Sequence, residues 1–243
     1  MDFNSTRFIE PAEAFAPDAG DSLAARFLDH VADARFPCVG AKAALSRGSI
    51  QVREYPALGC PRGAARLLDA LTDFGDGIDA LGDDDSTVYS FVAVFDTPIP
   101  ADEAAFERLL WLQLQHLHDI DRARGNAWAD DVASGPDHPL FSLSLAGHPF
   151  FVIGLHPNAS RIARRFERPA LVFNSHRQFD RLRADGRYAK MQAATRGRDT
   201  ALQGSINPNL ADFGTASETR QYSGRAVEAE WRCPLHVRTG GLH

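Results

Sequence analysis

The sequence predicts an α+β fold. It is a single domain with a mixed or antiparallel central sheet, helices packed against it, and a long loop-rich C-terminal segment. Three observations point there. Apolar residues recur at helical spacing in several windows, and short alternating or wholly apolar runs lie between them. Turn-forming residues gather where one pattern gives way to the other. The 243 residues are 44% apolar and 24% charged, enough for a sizeable core without the composition of a disordered chain.

Residues 1–20 lack periodicity and are expected to form a flexible arm, leaving 21–243 as the domain. Asp21 opens a helix with Leu23, Phe27, Leu28 and Val31 on one face, and Pro37 ends that pattern. Ser49 to Tyr55 alternates as a strand does, and Arg62 to Phe74 reads as a helix. Phe74 to Asp85 holds Gly75, Gly77 and Gly82 among aspartates and is expected to be a surface loop. It lacks the terminal glutamate of a calcium loop. Thr87 to Phe95 is apolar almost throughout, as in a central strand covered on both faces. Ala101 to Ile120 carries Phe106, Leu109, Leu110, Leu114 and Leu117 at helical spacing, with Asp102 and Glu103 near its positive end. Leu140–Leu145 and Pro149–Leu155 form a hairpin turned at Ala146-Gly147-His148. Ala170–Phe173 is a short strand, Phe179–Thr195 is mainly helical, and Gln203–Pro234 is a loop-rich tail expected to wrap over a site.

Composition removes several function classes. No stretch reaches the roughly 20 apolar residues of a membrane span. The N-terminus carries acidic residues and no long apolar run, unlike a secretory signal. Cys38, Cys60 and Cys233 are odd in number and far apart, which argues against a disulfide framework. The expectation is a cytoplasmic protein without a membrane partner. Charge is uneven: residues 1–155 hold 11 Lys+Arg against 24 Asp+Glu, and residues 156–243 hold 15 against 8. Of those 15 cations, 14 are Arg, which suits forked recognition of carboxylate or phosphate better than a nucleic-acid surface of mixed Lys and Arg. There is no dinucleotide fingerprint, phosphate loop, zinc spacing or nucleophile elbow. His116 and His118 lie two apart on a helix and point in different directions, a poor chelate that reads as packing.

Several blocks together carry a resemblance: Arg35-Phe36-Pro37-Cys38, the run from His148 to Arg161, Arg164-Arg165-Phe166, and Val172-Phe173-Asn174. Gln178-Phe179, Arg198-Asp199, Gln203 to Pro208, Gln221 to Arg225 and Trp231 to Pro234 extend it. In order and spacing they resemble the YqcI/YcgG family from about Arg35 to Pro234, most densely after His148. The resemblance implies a haem protein that hydroxylates nitrogen on a small amine or guanidine such as arginine. Haem b would be the cofactor and dioxygen the co-substrate. An external electron donor, a separate reductase, would be required, because no flavin or ferredoxin motif is visible. A haem sensor, carrier or dehydratase remains an alternative, as does an anion-binding protein without haem. The choice between monomer and homodimer stays open.

Haem needs an axial ligand, an apolar slot and cations for its propionates. His156 is the first choice for the ligand, since it stands where the strand FFVIGL ends and a short helix begins. A histidine there also has the ordinary role of bonding nearby backbone. Cys38 is the rival: a thiolate favours O–O cleavage, whereas free cysteine is often just a small buried hydrophobe. Arg161, Arg164 and Arg165 are spaced to share one helix face and one anion, or else form a solvated stripe. Asn174 follows a strand, where pocket polar groups often lie, and Tyr222 and Arg225 fall in the tail with Asn207. A guanidine substrate would need a carboxylate, for which Asp199, Asp212 and Glu218 are unranked candidates.

Overall fold

The computed structural model describes residues 22–81 and 87–238. The proposed N-terminal arm, Asp21, Gly82 and residues 83–86 therefore lie outside the described residues. Among the described residues, seven α-helices surround one five-stranded mixed sheet. In chain order the elements are α1 (Leu23–Ala32), α2 (Val39–Ser46), β1 (Ile50–Ala57), α3 (Pro61–Asp79), β2 (Ser90–Thr97) and α4 (Glu103–Ala123). There follow β3 (Leu143–Leu145), β4 (His148–Leu155), β5 (Ala170–Ser175), α5 (His176–Ala184), α6 (Arg187–Gln203) and α7 (Thr219–Tyr222). The sheet order is β1-β2-β5-β4-β3, with β1 and β2 parallel and the other pairs antiparallel. The expected α+β architecture is what the chain adopts.

Local chemistry accounts for most boundaries. Ser22 caps α1 by accepting from the Ala25 N–H, and Asp102 caps α4 by accepting from the Ala105 N–H at 2.7 Å. Leu23, Phe27 and Val31 are buried at intervals of four along α1. Pro61 opens α3 at its first position, where the missing N–H leaves no intrahelical bond unmade. The β3–β4 turn needs only Ala146 and Gly147, both at positive φ (52° and 76°), the geometry of a tight two-residue hairpin. His148 already belongs to β4.

One expected loop is a helix instead. α3 continues to Asp79, past the glycines that suggested its end. Gly75 is there for space: a Cβ at this position would lie 2.4 Å from the His148 ring. That ring is held between Asp76 (2.9 Å) and Asp79 (3.1 Å), so the aspartates read as loop residues tie α3 to β4. The helix read over Phe179–Thr195 is two helices, broken at Asp185-Gly186, where Gly186 takes φ 75°.

Register divides the sheet cleanly. Phe91 pairs with Phe173 and Phe173 with Val152, so Phe91, Ala93, Phe95, Phe150, Val152, Leu171 and Phe173 share one face. They pack with Leu67, Leu71 and Phe74 of α3 and with Phe106, Leu110, Leu114 and Leu117 of α4 into the main core. On the opposite face Val94, Leu155 and Ala170 pack against α1 and Phe166, which covers only part of that face. Gly154 points to the main core, where an added Cβ would come within 2.5 Å of the Phe106 ring. Gly154→Ala should therefore lower stability by about 1–3 kcal/mol. Gly77→Ala, with nothing within 4 Å of the new methyl in the middle of a helix, should raise it by up to about 1 kcal/mol. Paired urea unfolding curves measure both, and equal effects of the same sign would contradict this packing.

Candidate functional site

The uncovered part of the second sheet face is a cavity of about 310 Å³. Its floor is the alternate residues of the strands: Ile50, Ser90, Val92, Phe151, Ile153, Leu155, Val172 and Asn174. Phe27 and Val31 of α1 close one side, and the Phe36-Pro37-Cys38 corner with Gly40 and Ala41 closes another. Phe179 of α5 and Tyr188, Met191, Thr195 and Asp199 of α6 stand opposite, while Asn207, Leu210 and Gln221 of the tail lie across the end. The walls are thus mainly apolar with few polar groups, the usual character of a small-molecule site, and the volume is at the lower end for one.

Cys38 is on this wall. It is the N-cap of α2, and its Sγ accepts from the Ala41 N–H at 3.4 Å. Burial pushes its thiol pKa up, opposed by the α2 backbone N–H groups and by the charge of Arg164. Gly40 brings Met191 close: a Cβ there would lie 3.0 Å from the Met191 sulfur and 3.9 Å from Cys38 Sγ.

His156 is elsewhere. Strand alternation that turns Phe151, Ile153 and Leu155 to the cavity turns Gly154 and His156 to α4. The ring has no exposed surface and stacks on Phe106 with centroids 4.3 Å apart. Both its nitrogens are buried without a hydrogen-bond partner. Burial holds its pKa down at about 4. The first-choice ligand is therefore a packed, neutral ring off the cavity wall, and the rival cysteine occupies the wall instead.

The arginine cluster is also corrected. The chain from Ile162 to Arg164 makes one 3-10 turn, not an α-helix, and the three guanidinium groups diverge. Arg161 forms an ion pair with Asp199 and bonds Ser205. Arg164 gives its protons to the carbonyls of Gly154, Gln221 and Tyr222. Arg165 is bound to the carbonyls of Ala159 and Ser160 and does not line the cavity. Arg164 lies on the wall without a carboxylate partner among the described residues, and burial lowers its pKa to about 10.

Of the other expected residues, Asn174 lines the cavity and accepts from Ser90 Oγ at 2.7 Å. Tyr222 does not line it: it is fully buried beside β3 and β4, where its hydroxyl meets Glu218, the Leu143 N–H and the Phe150 carbonyl. Arg225 pairs with Glu107 and Glu228 outside the cavity, a structural tie between the tail and α4. Gln178 uses both ends of its amide on the Tyr89 backbone. His118, not His116, is the buried member of its pair, and it accepts from the Arg238 N–H. Among the described residues no group of three or more His, Cys, Asp or Glu is placed to hold a metal ion, and no helix is long and apolar enough to cross a membrane.

The YqcI/YcgG family model matches residues 27–236, which include every wall of the cavity. The chain belongs to the YqcI/YcgG family. Curated proteins and solved structures yielded no match. Within this family member, sequence reasoning missed α2, Met191, Thr195 and Ile50 as cavity residues. Their signal is weak, because each is defined by the partner it faces across the gap and not by any local motif.

The His156 ring gains a proton near pH 6.5 in the unfolded chain and only near pH 4 in the fold. The unfolded state binds more protons between those values, so stability falls as pH drops through this window, by an amount on the order of 3 kcal/mol. His156→Phe should flatten that slope while preserving the stack on Phe106. Denaturant midpoints of both proteins from pH 7 to pH 4 check this, and parallel curves would refute it.

Proposed function

We propose that this protein is a haem-dependent N-hydroxylase of a small amine or guanidine, with the tetrapyrrole in the cavity over the second sheet face. The observation that carries the reading is the joint presence on the wall of an apolar cavity of a thiol, Cys38, and a guanidinium, Arg164, that is bound to backbone carbonyls and has no carboxylate partner among the described residues. These residues fit a haem by the chemistry of the donor set. Cys38 would hold the iron through its sulfur, the α2 N-terminal N–H groups and the Arg164 charge opposing the burial that raises its pKa. Val92, Ile153, Val172 and Leu210 supply the apolar faces, and Arg164, backed by the Arg161–Asp199 pair, supplies charge for a propionate. Haem bound there would supply the activation of dioxygen by which one oxygen atom passes to a substrate nitrogen, with electrons from a separate reductase.

The volume of about 310 Å³ is small for this cofactor, so the reading requires one wall to stand further out in the loaded protein. α6 is that wall, since none of its residues is fully buried. The chain's own contribution is to exclude water with the aromatic and aliphatic walls and to orient the ligand with Asn174, Asn207 and Gln221. An anion-binding protein without haem is the second reading, favoured by the Arg164 charge alone.

Protein from cells supplied with iron and a haem precursor should be red, with a Soret band. Cys38→Ala should lose the wild-type spectrum or the haem itself, whereas His156→Phe should keep the wild-type ligation. Colourless protein at full haem supply would overturn the haem reading. An unchanged ferrous–CO spectrum in Cys38→Ala would reassign the ligand.

A further inference from the structure

A second, smaller chamber of about 100 Å³ opens beside the cavity and shares with it Phe151, Ile153, Phe179, Tyr188, Ala211 and Gln221. It adds three polar groups, His176, Arg183 and Glu218, together with Phe213 and Ala216. We propose that this chamber binds a cationic nitrogen end of the ligand, an ammonium or amidinium whose N–H donors are taken by the Glu218 carboxylate and by His176 Nε2, while the ligand's apolar body lies along the shared wall of Phe151, Ile153 and Phe179. This deepens the preceding reading and rests on it for the ligand being a small amine or guanidine.

The charges favour a cation. His176 begins α5 and is 3% exposed, and its Nδ1 lies 3.1 Å from Asp180 Oδ2. In the tautomer that donates Nδ1–H to Asp180, Nε2 carries a lone pair, and that atom is buried without a hydrogen-bond partner. Burial would raise the Asp180 carboxyl, but the bond from His176 and the charge of Arg183 outweigh it and hold it below its ordinary range. Ionised Asp180 in turn pairs with Arg183 at 2.5 Å, so the Arg183 charge is answered within α5. What remains is one acceptor nitrogen and one carboxyl group, beside an Arg183 whose charge is shared with Asp180.

Glu218 is the N-cap residue of α7 and is 4% exposed. The groups facing it are Tyr222 on its own helix, the Ser142 hydroxyl just before β3 and Arg183 from α5, with Cys233 of the tail acting on Tyr222 from behind. Burial pushes its pKa up to about 8, against the lowering effects of the Tyr222 and Ser142 hydroxyls and of the Arg183 charge. The carboxyl therefore keeps its proton at neutral pH until a cation arrives, and cation binding expels that proton. The two other carboxylates considered from sequence are worse placed: Asp199 is held by Arg161, and Asp212 is exposed and bound to Arg196 and Gln192.

Isothermal titration of the full-length protein as purified, with n-hexylamine and n-hexylguanidine as probes and n-hexanol and hexanoate as controls, tests the assignment. Both cations should bind, more tightly as pH rises from about 6 to about 8. Glu218→Gln, which is isosteric and keeps a partner for Tyr222, should weaken them about tenfold or more and leave hexanol within about twofold. Should that variant unfold, the wild-type protein decides: hexylamine binding at neutral pH, measured in buffers of different ionisation heat, must release protons. Absence of proton release, stronger binding of hexanoate than of hexylamine, or unchanged amine affinity in Glu218→Gln would overturn the proposal. Colourless protein that binds the cations in this way keeps the chamber and removes the haem. Red protein whose amine affinity ignores Glu218 keeps the haem and removes the chamber.

Discussion

The alternation of side chains across one five-stranded sheet governs the rest of the molecule. One face meets α3 and α4 over its whole width and forms a close-packed core of phenylalanines and leucines. The other face carries an equally apolar surface, and α1 with Phe166 covers only one end of it. Burying that remaining surface is favourable, yet the helices that approach it, α2 and α6, stop short and enclose a space instead. The same two-residue period decides which groups reach that space. It brings Ile153 and Leu155 to it and sends His156 to the other side, although the two residues at that boundary are adjacent in sequence.

The strands, the helix α4 and the fold class were legible because their signals are local: Phe106, Leu110, Leu114 and Leu117 mark one helix face, and TVYSFVAVF reads as a strand covered on both faces. The extent of α3 was not legible, because Gly75 and Asp76 answer to the His148 ring, 72 residues further along the chain. In the candidate site, Cys38, Arg161, Arg164 and Asn174 were found from their blocks and do line the cavity. His156 lies off the cavity wall because strand parity carries through the residue after the strand. Arg165, Tyr222 and Arg225 also lie off it, held by partners that a local motif does not reveal, such as Glu107 for Arg225.

The arginine-rich second half has a largely internal use. Arg161, Arg164, Arg220 and Arg225 bind backbone carbonyls or buried acids and stitch the tail to the sheet and to α4. A planar fork with five donors can hold a segment that has little regular structure, which a lysine could not do. Much of the charge asymmetry between the halves is thereby cancelled within the fold, as in the Arg177 pairs with Asp79 and Asp131. The tail earns its order from these bonds and not from helix or strand.

α6 leans on emptiness. Its inner side borders the cavity, no residue along it is fully covered, and glycines at φ 75° and 78° stand just before and after it. A helix held so lightly opens at small energetic cost, so its amide protons exchange with solvent ahead of those in α3 and α4. Anything that fills the space beneath adds the contacts it lacks and closes that leak. The exchange rate of one helix thus becomes a gauge of occupancy, readable before the occupant has been identified.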